Sequence, residues 1–516
     1  MSCAACTPAP GACGDCADAA VPAAATSKPA AVRTPPVADE ADAPRSRNFT
    51  STRNACKLCS PLGACLAYRG VEGCIPFLHG SQGCSTYIRR YLISHFREPM
   101  DIASSNFHEE SAIFGGSKNF SQGALNITRQ YQPQLIGAAT TCLTETIGED
   151  LPRLLHELRE AHGAAVAPIV HASTPSYRGT HIDGFHAAVK ALVEQLGAAA
   201  DSAGGSDTVP SPVTTRAGTP SDSAGTAAPR VNLFPGMVSP ADLRHLKEIL
   251  GAFGLQYTLL PDYSETMDGE TWSQYEKIQS GGTPLAAIAA TGSARASVEF
   301  GRTLAATETA GTSLQKKFGV PRHLLGMPIG IRETDVLFDL LSALSGREMP
   351  AACRRERGRL VDSLIDGHKY IFEKRAIVFG DEDLVVGLTA FLCEIGVTPV
   401  LCASGGRSQQ LAAALRAAAP ALPPETRVAE GMDFAEVAEL APELKPDFLI
   451  GNSKGYKISR ALDLPLIRVG FPIHDRIGGQ RVLHLGYRGA QELYDRIVNA
   501  LLEAKQDFST IAYSYL

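Results

Sequence analysis

The sequence predicts an α/β protein of three doubly wound, Rossmann-like domains with mostly parallel sheets, preceded by a disordered N-terminal tail. Three observations carry that expectation. A chain of 516 residues has room for about two to four domains and for a core that needs no disulfide staples. Its composition, 44% hydrophobic, 20% charged and 7% aromatic, fits a globular α/β chain and excludes a fibrous or wholly disordered one. Short apolar runs alternate with amphipathic segments of helical period, which is the pattern of βαβ units.

Taken in order, residues 1–46 contain no Leu, Ile, Phe, Tyr or Trp and cannot bury enough apolar area to offset ordering entropy, so they are expected to be a disordered tail. A first cluster-binding α/β domain is expected over 47–200. Residues 201–230, built from Ser, Gly, Thr, Pro and Ala, read as a low-complexity surface insertion. A second α/β domain is expected over 231–350. It comprises a strand at Val231 to Phe234, a turn at Gly236 to Pro240 and a helix at Ala241 to Leu250 with Leu243, Leu246 and Leu250 on one face. Strands at Leu255 to Leu260 and Leu285 to Ala290 and a helix at Val298 to Ala305 complete it. The third domain, 351–516, is expected to place strands at Arg375 to Phe379, Thr398 to Cys402, Phe448 to Ile450 and Leu466 to Val469, with helices at Asp383 to Ile395 and Gln409 to Ala417. Its final helix, Ala490 to Lys505, carries Leu493, Ile497, Leu501 and Leu502 along one stripe. The turn Gly380-Asp381-Glu382-Asp383 lacks a glycine fingerprint and puts three acids where a phosphate would sit, so it reads as strand-to-helix capping rather than a nucleotide site.

Net charge is −6, from 48 Lys and Arg against 54 Asp and Glu, which gives no electrostatic support for a nucleic-acid partner. No run of about 18 apolar residues and no basic segment followed by an apolar stretch is found, so neither a membrane partner nor a secretory signal is expected and the location is expected to be cytoplasmic.

Thirteen cysteines are present, and ten fall within the first 142 residues: Cys3, Cys6, Cys13, Cys16, Cys56, Cys59, Cys65, Cys74, Cys84 and Cys142. Such clustering favours metal or redox chemistry over disulfides in a cytosolic chain. Cys3-x2-Cys6 and Cys13-x2-Cys16 could hold zinc or an iron–sulfur cluster, although nothing apolar nearby would pack around a metal; a flexible thiol-bearing arm is the plainer reading. Cys56-x2-Cys59 could equally mark zinc, while Cys65 and Cys74, in apolar surroundings, read as core residues. Cys59, Cys84 and Cys142 each sit among small residues, and the last two follow strand-like runs, where α/β domains collect ligands. Gly80 and Gly83 would leave room for a bulky inorganic cluster. Soft thiolates suit iron–sulfur clusters, but three make an incomplete set, so a further donor would come from Cys56, Cys65, Cys74 or another chain. Glu145 reads as a helix N-terminal acid, His79 and His181 as satisfied loop histidines or outer-sphere donors, and Arg97 with Glu98 as an ion pair or a subunit contact.

The chain resembles the nitrogenase component 1 family, in its β-type subunit. The resemblance rests on CSPLGACLAYRGVEGCIPFLHGSQGC at Cys59 to Cys84, HFREP at His95 to Pro99, FGGSKN at Phe114 to Asn119, TTCLTETIGEDLP at Thr140 to Pro152 and STPSYRGTH at Ser173 to His181. GMVSPADLRHLKEIL and GFPIHDRIGGQR extend it towards the C-terminus. It implies that Cys59, Cys84 and Cys142 are metal ligands, three of those of an [8Fe-7S] P-cluster completed by an α-type component 1 subunit, and that Ser176 is a redox-dependent hydroxyl ligand. It also implies an α2β2 heterotetramer, electron supply from an ATP-dependent iron protein, and a catalytic cofactor held by the α-type chain. Consistently, 231–350 contains no cysteine and only His245 and His323, so no catalytic residue is expected here. The family includes nitrogenase, methylthio-alkane reductase and the cofactor-assembly scaffold. The retained cysteine triad favours an oxidoreductase subunit over the scaffold's β-type chain, a binding module without turnover that would need only a [4Fe-4S] cluster.

Overall fold

The computed structural model describes residues 54–198, 229–507 and Ser509. The expected tail, with Cys3, Cys6, Cys13 and Cys16, and nearly all of the expected insertion at 201–230 lie outside the described residues. Among the described residues three sheets are formed, and every ladder in them is parallel. The first contains β1 (Cys74–His79), β2 (Ala103–Ser104), β3 (Leu135–Thr140) and β4 (Ile169–Ala172) in the order β2-β1-β3-β4. The second contains β5 (Arg230–Phe234), β6 (Gln256–Leu259), β7 (Ala296–Phe300) and β8 (Arg322–Leu325) in the order β6-β5-β7-β8. The third contains β9 (Arg375–Gly380), β10 (Thr398–Ser404), β11 (Arg427–Ala429), β12 (Phe448–Gly451) and β13 (Leu466–Arg468) in the order β11-β10-β9-β12-β13.

The central strands β1, β3 and β7 are buried along their whole length, because helices cover both faces of a parallel sheet and leave no polar side to alternate with. That burial explains the two elements that depart from the sequence reading. Val298 to Ala305, expected as a helix, instead begins with the second half of β7, Val298 to Phe300. Gly301 at φ 138° then breaks the strand, and a 3-10 turn follows at Arg302–Ala306. Leu285 to Ala290, expected as a strand, is a helix at Leu285–Ala289. A short apolar run has no period that tells helix from strand, and alanine-rich LAAIA after Pro284 prefers the helix. The helix expected at Ala241 to Leu250 spans Pro240–Ala252, and the final helix runs over Gly486–Asp507.

The segment following GFPIHDRIGGQR is pinned to the second sheet by one buried carboxylate. Asp242 closes a capping box with Ser239, accepts the His484 and Leu485 amides at 3.0 Å each, and meets His484 Nδ1 at 2.6 Å. Burial alone would raise its pKa, but the His484 imidazole and those amide donors hold it below the ordinary carboxylate value. A depressed folded pKa contributes stability that is present above the unfolded value and lost as pH falls through the folded one. Asp242→Asn is therefore expected to cost about 3 kcal/mol at neutral pH, because it strands His484 in the core. Thermal unfolding of the two proteins should show the gap narrowing below the ordinary carboxylate pKa.

Among the described residues no helix is long and apolar enough to cross a membrane.

Candidate metal centre

In the first sheet the chain passes from β1 to β2 on one side and then to β3 on the other, so the connections leaving β1 and β3 diverge and open a crevice at their carboxyl ends. Cys84 lies on the connection after β1, Cys142 on that after β3 and Ser176 on that after β4. Cys59 arrives from elsewhere, as the N-cap of the helix Ser60–Arg69. Each cysteine stands at a helix start. Cys84 is the third residue of the helix Gln82–Phe96, and Cys142 is the first of Cys142–Thr146. Unpaired backbone amides gather at such helix starts.

A web of short-range hydrogen bonds draws the four loops together. Thr141 and Thr144 hydroxyls donate to the His79 carbonyl at 3.1 and 3.0 Å, tying the Cys142 turn to the end of β1. The Thr174 hydroxyl donates to the Thr140 carbonyl at 2.6 Å and its amide to the Thr140 hydroxyl at 2.8 Å, tying the STPS loop to the end of β3. The Ser60 amide donates to Ser176 Oγ at 3.1 Å, bringing the Cys59 turn onto the same loop. Ser81 Oγ donates to Cys84 Sγ at 3.5 Å.

Burial raises the Cys59 thiol, a hydrogen bond from Ser176 lowers it, and charge repulsion from Cys142 and Cys84 raises it again. The four sequence-predicted donors thus share one electrostatic neighbourhood. Cys59 and Cys142 are exposed and Cys84 is half-buried, so the sulfurs open outward. The remaining cysteines behave differently. Cys65 and Cys74 are fully buried, and desolvation pushes both thiols far up. Cys56 packs with Ile377, Phe379 and Leu401, and burial pushes its thiol up to about 12. Among the described residues no three His, Cys, Asp or Glu side chains converge tightly enough to chelate one metal ion. Three thiols and a hydroxyl, spread over separate loops, suit a body larger than an ion.

Other expected residues settle into supporting parts. Glu145 accepts hydrogen bonds from Thr140 and Ser173, which bridges the ends of β3 and β4. His79 is buried at the strand end rather than in a loop, with Ser105 Oγ at 3.1 Å and Glu149 at 3.4 Å. His181 accepts the Leu58 amide at 3.4 Å and faces Asp381 at 3.2 Å, which links the residue before Cys59 to the third sheet. The Asp381 carboxylate makes no cap to its own helix, Glu382–Glu394, contrary to the capping reading. Arg97 donates to the His474 carbonyl at 3.1 Å and makes no ion pair with Glu98. A Cβ on Gly80 would lie 2.2 Å from Thr141 Oγ1, so that glycine makes room for the threonine and not for a cluster, whereas a Cβ on Gly83 would meet only Ser81 Oγ, at 3.9 Å. Sequence spacing gave no hint of Lys454, whose ammonium binds the Ala55 carbonyl at 2.9 Å and lies near Cys56 and Cys59.

Large apolar side chains stand exposed beside the donors. Leu143 follows Cys142, Tyr87 lies one turn after Cys84, and Tyr177 follows Ser176, with Ile113 and Phe114 also uncovered.

The family model for nitrogenase component 1 type oxidoreductases matches residues 59–502. The nitrogenase molybdenum-iron protein beta chain of Clostridium pasteurianum is 34% identical over 468 residues, covering 89% of this chain and 96% of that relative. The beta chain of the same name from Rippkaea orientalis is 36% identical over 468 residues, covering 89% and 86%. A solved structure described as nitrogenase Cp1 at pH 6.5 superposes with a TM-score of 0.83 at 32% identity, over 91% of this chain and 98% of that one. With the family model spanning the sheets and all four donors, the chain belongs to the nitrogenase component 1 type oxidoreductases, as a β-type subunit.

Proposed function

We propose that Cys59, Cys84 and Cys142, with Ser176 as an auxiliary oxygen donor, hold an iron–sulfur cluster of the P-cluster type, completed by an α-type subunit across an interface. The observation that carries this reading is the meeting of three outward thiols and one hydroxyl, from four separate loops, at the carboxyl edge of one sheet. Such a cluster, when bound by these residues, would supply a store of electrons between an ATP-dependent iron protein and a cofactor in the α-type partner.

The chain's own residues do the rest. The threonine web fixes the spacing of the loops, and Ser176 Oγ, held by the Ser60 amide, is a hard donor suited to a higher iron valence. With Cys56, Cys65 and Cys74 sealed in the core among the described residues, this reading looks to the partner for further thiolates. The exposed Leu143, Tyr87 and Tyr177 give that partner an apolar surface to cover. An α2β2 heterotetramer is the assembly this reading expects.

The test is to purify this chain with and without its α-type partner, count iron, and assay the complex with the iron protein and ATP. Iron retained by the complex together with turnover is the expected result. A complex that holds iron but turns nothing over would instead be the assembly scaffold, and one that holds no iron would remove the cluster from this chain.

A further inference from the structure

The third sheet reaches the metal centre through the residues that precede Cys59. Residues 54–58 run as a strap along the carboxyl edge of that sheet and are held at successive points. The Phe434 amide donates to the Asn54 carbonyl at 2.9 Å, and Ala55 pairs with Asp433 in an isolated antiparallel bridge. Cys56 packs into the apolar cluster of Ile377, Phe379, Leu401 and Phe434. A Cβ on Gly405 would lie 2.6 Å from the Cys56 carbonyl, so that glycine lets the SGGRS loop after β10 close on the strap. The Leu58 amide then donates to His181 Nδ1 at 3.4 Å, and His181 faces Asp381 after β9.

Lys454 closes the strap. It stands in the 3-10 turn Ser453–Gly455 after β12, where its own amide donates to the Asn452 side-chain oxygen at 3.1 Å and the Ser453 amide to the Pro472 carbonyl at 3.0 Å. Gly455 lets this turn pack on Phe379, which a Cβ would meet at 2.3 Å. From that fixed base the ammonium donates to the Ala55 carbonyl at 2.9 Å, 399 positions upstream. A hydrogen bond from an ionised donor is about twice as strong as a neutral one. Among the described residues no carboxylate pairs with Lys454, and the ionisable groups that its charge meets are Cys56 and Cys59. Burial pushes the Cys56 thiol up to about 12, which keeps it neutral and leaves Cys59 as the sulfur that can answer the ammonium.

With a backbone anchor on one side and a donor sulfur on the other, we infer that Lys454 is a positioning residue for Cys59, clasping the strap to the third sheet and setting a cation beside that donor. The inference rests on the cluster reading above, and it gives the third sheet, which supplies none of the four donors, a hold on one of them. Net charge around an iron–sulfur cluster helps to set its reduction potential. Removing a nearby cation disfavours the added electron, so the potential should become more negative.

The test compares wild type, Lys454→Met and Lys454→Arg, each as the full chain in its complex. Hydrogen exchange over residues 54–60 is followed without iron, and the reduction potential is measured with iron bound. Lys454→Met should speed that exchange about tenfold, the equivalent of one lost charge-assisted hydrogen bond. At the wild-type midpoint it should also shift the oxidised-to-reduced ratio about threefold or more towards oxidised. Lys454→Arg, which keeps charge and donor, should restore both. Should Lys454→Met not fold, Lys454→Gln drops the charge, keeps an amide donor and gives the same comparison of potentials. Exchange at the wild-type rate in Lys454→Met, or an unmoved potential, would overturn the inference. A wild-type complex that binds no iron would instead overturn the cluster reading, while the exchange comparison still decides whether Lys454 holds the Cys59 turn.

Discussion

Replacing Cys84 by alanine will strip iron from the complex and abolish electron transfer while leaving the fold of this chain in place. Cys84 is half-buried in the first turn of the helix Gln82–Phe96, and its sulfur receives one long hydrogen bond from Ser81. Alanine keeps the backbone and has the better helix propensity, so the thermal midpoint of the chain without metal should move little. Removing an outer-sphere partner of a metal ligand costs about 10- to 100-fold in affinity or activity, and removing the ligand itself costs more. The control is Cys65→Ala, in the same run between Cys59 and Cys84. Cys65 has no exposed surface, and emptying its volume should cost about 1 kcal/mol or more in stability with iron retained. Iron analysis and thermal unfolding of both variants separate ligand from core. Unchanged iron in Cys84→Ala would remove the cluster from this face.

The strands and the donors were legible for different reasons. Apolar runs bounded by Gly, Pro and Asp mark β5, β9, β10, β12 and β13 because a doubly covered parallel strand is written as continuous hydrophobicity. The same property hides β7, whose run passes into a 3-10 turn with no change of composition, and it turns the helix at Leu285–Ala289 into an apparent strand. Cys59, Cys84, Cys142 and Ser176 could be picked out because the motif text around them is specific. What holds them could not. The threonine hydroxyls, the His181 and Asp381 contact and the Lys454 ammonium act across chain separations that carry no local period. Asp381 shows the difficulty: read locally it is a helix cap, but tertiary packing turns its carboxylate to a histidine 200 positions upstream, and a sequence window holds neither partner's position.

The same long-range logic makes two glycines behind the candidate metal centre especially sensitive backbone positions. The helix Ser60–Arg69, buried along its whole length, crosses the helix His181–Leu196 at backbone contact. A Cβ on Gly63 would lie 1.7 Å from the His181 carbonyl oxygen, and one on Gly184 would lie 1.9 Å from that of Ser60. Both obstacles are backbone atoms, so no side chain can swing aside; the helices themselves must separate. Overpacking a core costs about 1–3 kcal/mol and more where the backbone has to move. Gly184→Ala is therefore expected to lower stability by about 3 kcal/mol and, because Ser60 follows Cys59 and holds Ser176, to loosen both donors and lower iron occupancy. Gly358→Ala provides the counterweight. It lies mid-helix in Ala351–Ile371 with no atom within 4 Å of the added methyl, and should raise stability by about 0.5–1 kcal/mol through helix propensity alone. Opposite shifts in the thermal midpoints, with iron lost only in Gly184→Ala, are the expected result. A Gly184→Ala variant as stable and as iron-rich as wild type would show that the helix crossing does not fix the Cys59 turn.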